Sequence, residues 1–197
     1  FIMPAHITVS VWNTDRTCAE MAQRKTASCG ISFDLNTRLS QLSWEVADNS
    51  LSLPAAKENF NRIKTTMPTG KREVLILTSF ANAAFCRLFG GDLFAMLIVL
   101  VSTLAGYRLK QIMLEDGRDV RLTFLCASFF SASISAGGHI FNIGSSPELA
   151  LGTSVLYLIP GVPYINSVSD MIYRHYLCAF SRFLDAAVLT ACLSAGL

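Results

Sequence analysis

The segment richest in chemistry is LIPGVPYINSVSD, Leu158 to Asp170, which ends an apolar run with Pro160, Gly161 and Pro163 and follows them with Asn166 and Asp170. Pro160 and Pro163 have no N–H, so the carbonyls of Leu156 and Ile159 lose their helical donors. In lipid such carbonyls need another partner, and irregular backbone survives at membrane depth only where protein or a water-filled cavity serves it. Transporters bind substrates and ions at breaks of this kind. The other reading is a packing kink. Beyond the break, Pro163, Asn166 and Asp170 stand at i, i+3 and i+7, on one helical face. An amide and a carboxylate then face one cavity. Asn166 can donate to a substrate carboxylate or accept from an ammonium, and Asp170 can pair with a cation or carry a coupling proton. A solvated Asp170 at the helix end is the alternative.

Three further groups carry polar chemistry inside apolar runs. Ala127, Ser131, Ser135 and His139 form one stripe and Ser128, Ala132 and Ala136 another. Small residues four apart favour close helix packing, while Ser131, Ser135 and His139 would also serve as a polar pathway. Arg182 and Asp185 stand at i, i+3 and are expected to pair, because a lone charge at membrane depth costs about 2.5 to 3.5 kcal/mol. Asn82 lies in mid-run as a lining residue, and Arg87 can snorkel or meet Asp92.

No enzyme signature accompanies them. HExxH, GxSxG and GxGxxG are absent, and Thr69-Gly70-Lys71-Arg72 lacks the first glycine and the Ser/Thr of a P-loop. The reading is therefore a non-enzyme with no catalytic residue and no cofactor, driven by an ion gradient. The six cysteines include no CxxC pair, so no metal or disulfide framework is expected. A net charge of +2 without a basic, aromatic-laced cluster gives no warrant for nucleic-acid binding.

These residues need elements to position them. The chain of 197 residues is 52% hydrophobic and 15% charged, but the charge is gathered at the front: residues 1–72 hold nine Lys/Arg and six Asp/Glu. That predicts a head over 1–72 and a transmembrane bundle over 73–197, an α-helical membrane protein with a small α+β cytoplasmic head. In the head, ITVSVW (Ile7 to Trp12) and SCGISF (Ser28 to Phe33) read as strands of a hairpin. Leu35 to Asp48 reads as an amphipathic helix capped by Asn36 or Asp34. A second helix starts at Ser52 with Pro54 in its first turn. Pro68 and Gly70 form the hinge.

Five apolar runs follow, near 74–89, 93–107, 122–140, 149–168 and 177–197. Gly90, Gly91 and Asp92 make the turn between the first two; a re-entrant 74–107 would leave four spans. Pro160, eleven residues past Leu149, falls about 16 Å along its run, near the midplane. Lys and Arg cluster in the head, the loop from Arg108 to Arg121 and at Arg174, whereas the Gly90 to Asp92 turn and the Phe141 to Glu148 loop hold none. The head is therefore expected in the cytoplasm and the C-terminus outside. A chain that opens at Phe1 without Met and stops within an apolar run is expected to be a fragment at one or both ends.

Four segments, NSLSLPAAKENFNRIK (Asn49 to Lys64), FCRLFGGD (Phe85 to Asp92), LIPGVPYINSVSD and SRFLDA (Ser181 to Ala186), carry a resemblance over nearly the whole chain. The chain resembles the threonine/serine exporter family, in particular its N-terminal half or the separate YjjP-type subunit. The resemblance implies a secondary exporter of threonine or serine in the bacterial inner membrane, multi-pass, working with a second small membrane subunit as a homo- or hetero-oligomer. Some split members are associated with dicarboxylate export, which would want an arginine at the cavity, with Arg182 the candidate. Pro160, Gly161, Pro163, Asn166 and Asp170 match the family motif, and Arg182 and Asp185 match its charged last span. Asp185 stands where the family usually has Glu. From another class, the chain could be an accessory subunit that moves nothing itself.

Overall fold

The computed structural model describes residues 2–3, 6–12, 19–25, 32–48, 50–65, 70–140 and 146–197. Its chain divides into two compact units, Phe1–Gly70 and Lys71–Leu197.

In the first unit β1 (Ile2–Met3), β2 (His6–Trp12) and β3 (Ala19–Lys25) form an antiparallel meander, with Ile2 opposite Ile7 and Trp12 opposite Ala19. ITVSVW is a strand, as its β-branched residues favour. Its neighbour on that edge is AEMAQRK rather than the predicted SCGISF. Phe33 opens a helix, and residues 28–31 lie outside the described residues. AEMAQRK neither alternates nor carries β-branched residues; cross-strand pairing alone makes it extended. Helix α1 (Phe33–Ala47) starts two residues before the predicted Leu35, because Ser32 and not Asn36 or Asp34 is its cap: Ser32 Oγ accepts from Leu35 N at 3.4 Å. Asp34 instead pairs with Arg38 at 3.0 Å. Helix α2 (Leu53–Lys64) has Pro54 in its first turn, as predicted, and packs on α1 around the buried Leu42.

The second unit is helical throughout its described residues: α3 (Lys71–Leu88), α4 (Leu93–Glu115), α5 (Val120–Ile140), α6 (Pro147–Ser154), a 3-10 turn (Leu156–Leu158), α7 (Gly161–Ile172) and α8 (Tyr176–Gly196). Among the described residues three helices, α4, α5 and α8, are long and apolar enough to cross a membrane, and the α6–α7 pair, bent by 62°, would be a fourth span. Helix α3 occupies the first predicted run, but Lys71, Arg72, Glu73 and Arg87 within its 18 residues make it the most charged of the long helices. Helix α4 runs eight residues beyond the predicted Tyr107. There the apolar run ends but the backbone continues, tied to α3 by Lys71–Glu115 (3.0 Å) and by Gln111 donating to the Lys71 carbonyl (2.9 Å).

The interior of this unit is rich in small and polar side chains, set around apolar clusters such as Phe124, Val155, Leu158 and Leu193, while its outside is large and apolar. Ser79, Asn82, Ser102, Thr103, Thr123, Ser128, Ser131, Thr153 and Ser154 are buried, whereas Leu77, Phe80, Leu97, Phe129, Val168 and Phe180 are exposed. Water would drive the opposite arrangement; hydrocarbon does not, and there small side chains that let backbones approach hold helices together. Most of these hydroxyls donate within their own helix, as Ser79 does to the Leu75 carbonyl (2.8 Å) and Ser128 to that of Leu125 (3.0 Å). A methyl group on Gly196 would overlap Ser128 Oγ, so that stripe is where α8 rests on α5. At the α3–α4 turn Gly90 takes φ +93°, and Asp92 Oδ1 then accepts from Ala95 N (3.0 Å) and from Ser146 Oγ (2.9 Å), capping α4 and fastening it to the start of α6.

Candidate functional site

Helix α6 lies among α3, α4 and α5, whereas α7 packs on α8. The break between them therefore carries the chain from the interior of the bundle to its side. The two carbonyls expected to be orphaned by the prolines are served locally: Ile159 N reaches the Leu156 carbonyl at 3.1 Å and Gly161 N the Ile159 carbonyl at 2.8 Å. Outside help goes one turn earlier. Asn82 Nδ2 donates to the Thr153 carbonyl (3.0 Å), to the Ser154 carbonyl (3.5 Å) and to Thr103 Oγ1 (2.8 Å), and Thr103 Oγ1 in turn reaches the Ser154 carbonyl (3.5 Å). Asn82 is 3% exposed, so its amide is committed to the end of α6. Pro160 is buried, Gly161 exposed and Pro163 half-buried along the first turn of α7.

Beside the break, an open cavity of about 370 Å³ is lined by Thr78, Asn82, Phe85, Phe89, Tyr157 and Ile159, among others. Tyr157 joins it to the α5 stripe: its hydroxyl lies 2.9 Å from Ser131 Oγ, which donates to the Ser102 carbonyl at 3.3 Å. Gly106 makes room for this, since a methyl there would overlap both Ser131 Oγ and the Tyr157 hydroxyl. Ser135 Oγ is buried without a hydrogen-bond partner. His139 sits in the last turn of α5, and its side chain lies outside the described residues.

The charges of the last two helices pair differently from expectation. Arg182 Nη1 approaches Asp170 Oδ2 at 3.1 Å, linking α8 to α7, and Asp185 is exposed. Asp170 Oδ2 is buried and receives no aligned donor, so the contact is an ion pair by distance and not a directed hydrogen bond. The i, i+3 spacing permits Arg182–Asp185, but α7 presents a carboxylate deeper in the α7–α8 interface. Ser167 donating to the Ala179 carbonyl (2.7 Å) and Tyr164–Thr190 (2.9 Å) complete that interface. Asn166 is exposed on α7, and neither it nor Asp170 lines the cavity beside Asn82. Arg87 donates to the Gly91 carbonyl at 3.0 Å. Among the described residues no group of His, Cys, Asp and Glu could hold a metal ion.

The family model described as "Putative threonine/serine exporter" (ThrE) matches residues 1–197. The chain belongs to this family. Among curated relatives, it is 23% identical over 176 residues to two proteins named "Probable succinate transporter subunit YjjP", from Klebsiella aerogenes and from Escherichia coli K12. The match covers 88% of this chain and 67% and 68% of theirs. No solved structure matches the chain. The segments that carry the resemblance have definite places in the fold. FCRLFGGD closes the α3–α4 hairpin, LIPGVPYINSVSD makes the break and α7, and SRFLDA supplies the arginine that reaches Asp170. Thr103 and Tyr157, which complete the site, gave no sequence signal beyond a polar or aromatic residue in an apolar run.

Proposed function

We propose that this chain is a subunit of a gradient-driven exporter of a small carboxylate-bearing metabolite, working in the bacterial inner membrane with a second membrane subunit. The observation that carries the reading is the break after Ser154, where a buried amide from α3 and a hydroxyl from α4 hold the end of a helix inside the bundle. Such a break is where transporter folds place substrates and ions. Threonine and serine are the substrates in the family's description, and succinate is the substrate in the name of both relatives. All three share a carboxylate. On this reading Pro160, Gly161 and Pro163 set the break, Asn166 contacts substrate and Asp170, charge-paired to Arg182, couples to the driving ion. The polar stripe of Ser131, Ser135 and His139 lines the path. Arg182 suits a dicarboxylate less than its charge alone implies, because Asp170 already neutralises it. Lys/Arg placement supports a cytoplasmic head.

The test is efflux of labelled threonine, serine and succinate from vesicles carrying this chain and its partner, with Asp170→Asn and Asn166→Ala beside wild type. Export of one solute that falls at least tenfold in Asp170→Asn supports the reading, and unchanged export in Asn166→Ala removes that residue from the site. Export by the partner that continues undiminished without this chain would make it an accessory subunit instead.

A further inference from the structure

Lys110, on α4, is a cation that joins none of the ion pairs among the described residues, although it is partly buried. Arg182 meets Asp170, Lys71 meets Glu115 and Arg87 meets a carbonyl. Lys110 meets aromatic rings. Its Nζ stands 5.4 Å from the ring centroid of Tyr107, 5.0 Å from that of Phe124 and 5.9 Å from that of Tyr157, rings contributed by α4, α5 and the 3-10 turn at the break. The cage is held in place. Tyr107 and Tyr157 pack with centroids 5.6 Å apart, and the Tyr157 hydroxyl is fixed by Ser131.

Ring faces attract an ammonium through their quadrupoles but leave its charge intact, and they do not satisfy its three N–H donors. A partly buried ammonium without a counter-charge is costly wherever water is displaced from it, so a cage that steadies the ammonium while supplying no anion is built for an anion from elsewhere. Lys110 lies seventeen residues past Leu93, about 26 Å along α4, toward the end from which an exported solute would enter. Tyr157, one wall of the cage, also lines the open cavity beside Asn82.

We infer that Lys110 is the receptor for the substrate's carboxylate. The inference rests on the transport reading and deepens it by assigning the cation that binds the anionic group. The ligand class is a small carboxylate, whether of an amino acid or of a dicarboxylate.

The experiment uses the chain purified with its partner subunit, with threonine and succinate as separate probes. In wild type, the bound probe should slow modification of Lys110 by an amine-reactive reagent, read by mass spectrometry. Lys110→Gln should weaken binding of that probe by tenfold or more, the loss expected for a charge-assisted hydrogen bond, while Lys110→Arg keeps most of it. Whichever probe protects identifies the carboxylate's source. A probe that binds wild type without protecting Lys110, or that binds Lys110→Gln equally well, overturns the assignment and leaves transport standing. Wild-type protein that neither binds nor moves either probe overturns the transport reading, and this assignment with it.

Discussion

Asn82 Nδ2 stands 3.0 Å from the Thr153 carbonyl, so a side chain of α3 adds a donor beside the Val155 N–H that the chain itself turns to this carbonyl where α6 ends. In water such a carbonyl would find solvent. In the bundle interior the alternative is an acceptor short of a donor, which makes this amide one support of the break beside Val155 N–H and Thr103.

Asn82→Leu, which keeps volume but removes the donors, should destabilise the protein by about 1–3 kcal/mol, the cost of leaving buried acceptors short of a donor. Thermal unfolding in detergent should show a clear fall in Tm. A Tm equal to wild type would mean that the break does not depend on α3.

Arg182 and Asp170 are 28% and 21% exposed at the side chain, so their pair is intermediate between a surface and a buried one. A double-mutant cycle with Arg182→Gln and Asp170→Asn should give a coupling of about 1–2 kcal/mol. The corresponding cycle with Asp185→Asn should give a coupling near zero. Equal couplings would restore the pairing expected from sequence spacing.

Gly106 faces Ser131 and Tyr157 with no space for a methyl, while a methyl on Gly137 meets nothing within 4 Å. Gly106→Ala should therefore cost about 1–3 kcal/mol through overpacking, and Gly137→Ala should be neutral or slightly stabilising. Melting temperatures of the two variants, measured side by side, decide it; an equally benign Gly106→Ala would show that α4 and α5 are less closely apposed.

Asp92 caps α4 and bonds to Ser146 at the start of α6. Asp92→Ala should lower stability by about 0.5–2 kcal/mol. Proteolytic susceptibility near the α3–α4 turn should rise with it, and unchanged cleavage there would count against the cap.

Orientation can be read from cysteines placed at Glu148 and at Gly117 in a background without native cysteines. An impermeant maleimide should label position 148 from outside intact cells and position 117 only after permeabilisation. The reverse pattern would invert the topology.

Much of this protein was legible in its sequence because membranes simplify the reading. Apolar runs long enough to span become helices, so α5 and α8 fell near the predicted runs, whereas α4 ran eight residues past its run and the 149–168 run became α6 and α7; the Gly90 turn followed from residue type. A proline removes a donor wherever it stands, so an interruption at Pro160 was legible, but α6 already ends at Ser154, before any proline could end it. Local reasoning failed where partners are chosen across space. AEMAQRK is a strand only because β2 lies beside it. Ser32 outcompetes its neighbours as a cap by backbone geometry. Arg182 had two carboxylates in reach, and only the packing of α7 on α8 brought Asp170 to it. Likewise Asn82 was visible as a polar residue in an apolar run, yet that its amide serves Thr153 depends on α6 lying between α3 and α4. The sequence alone determined which groups had to be satisfied, because burial in lipid leaves no solvent to do it. Tertiary structure decided by whom, because hydrogen bonds and charges act over a few ångströms and the chain brings distant residues that close only when it folds.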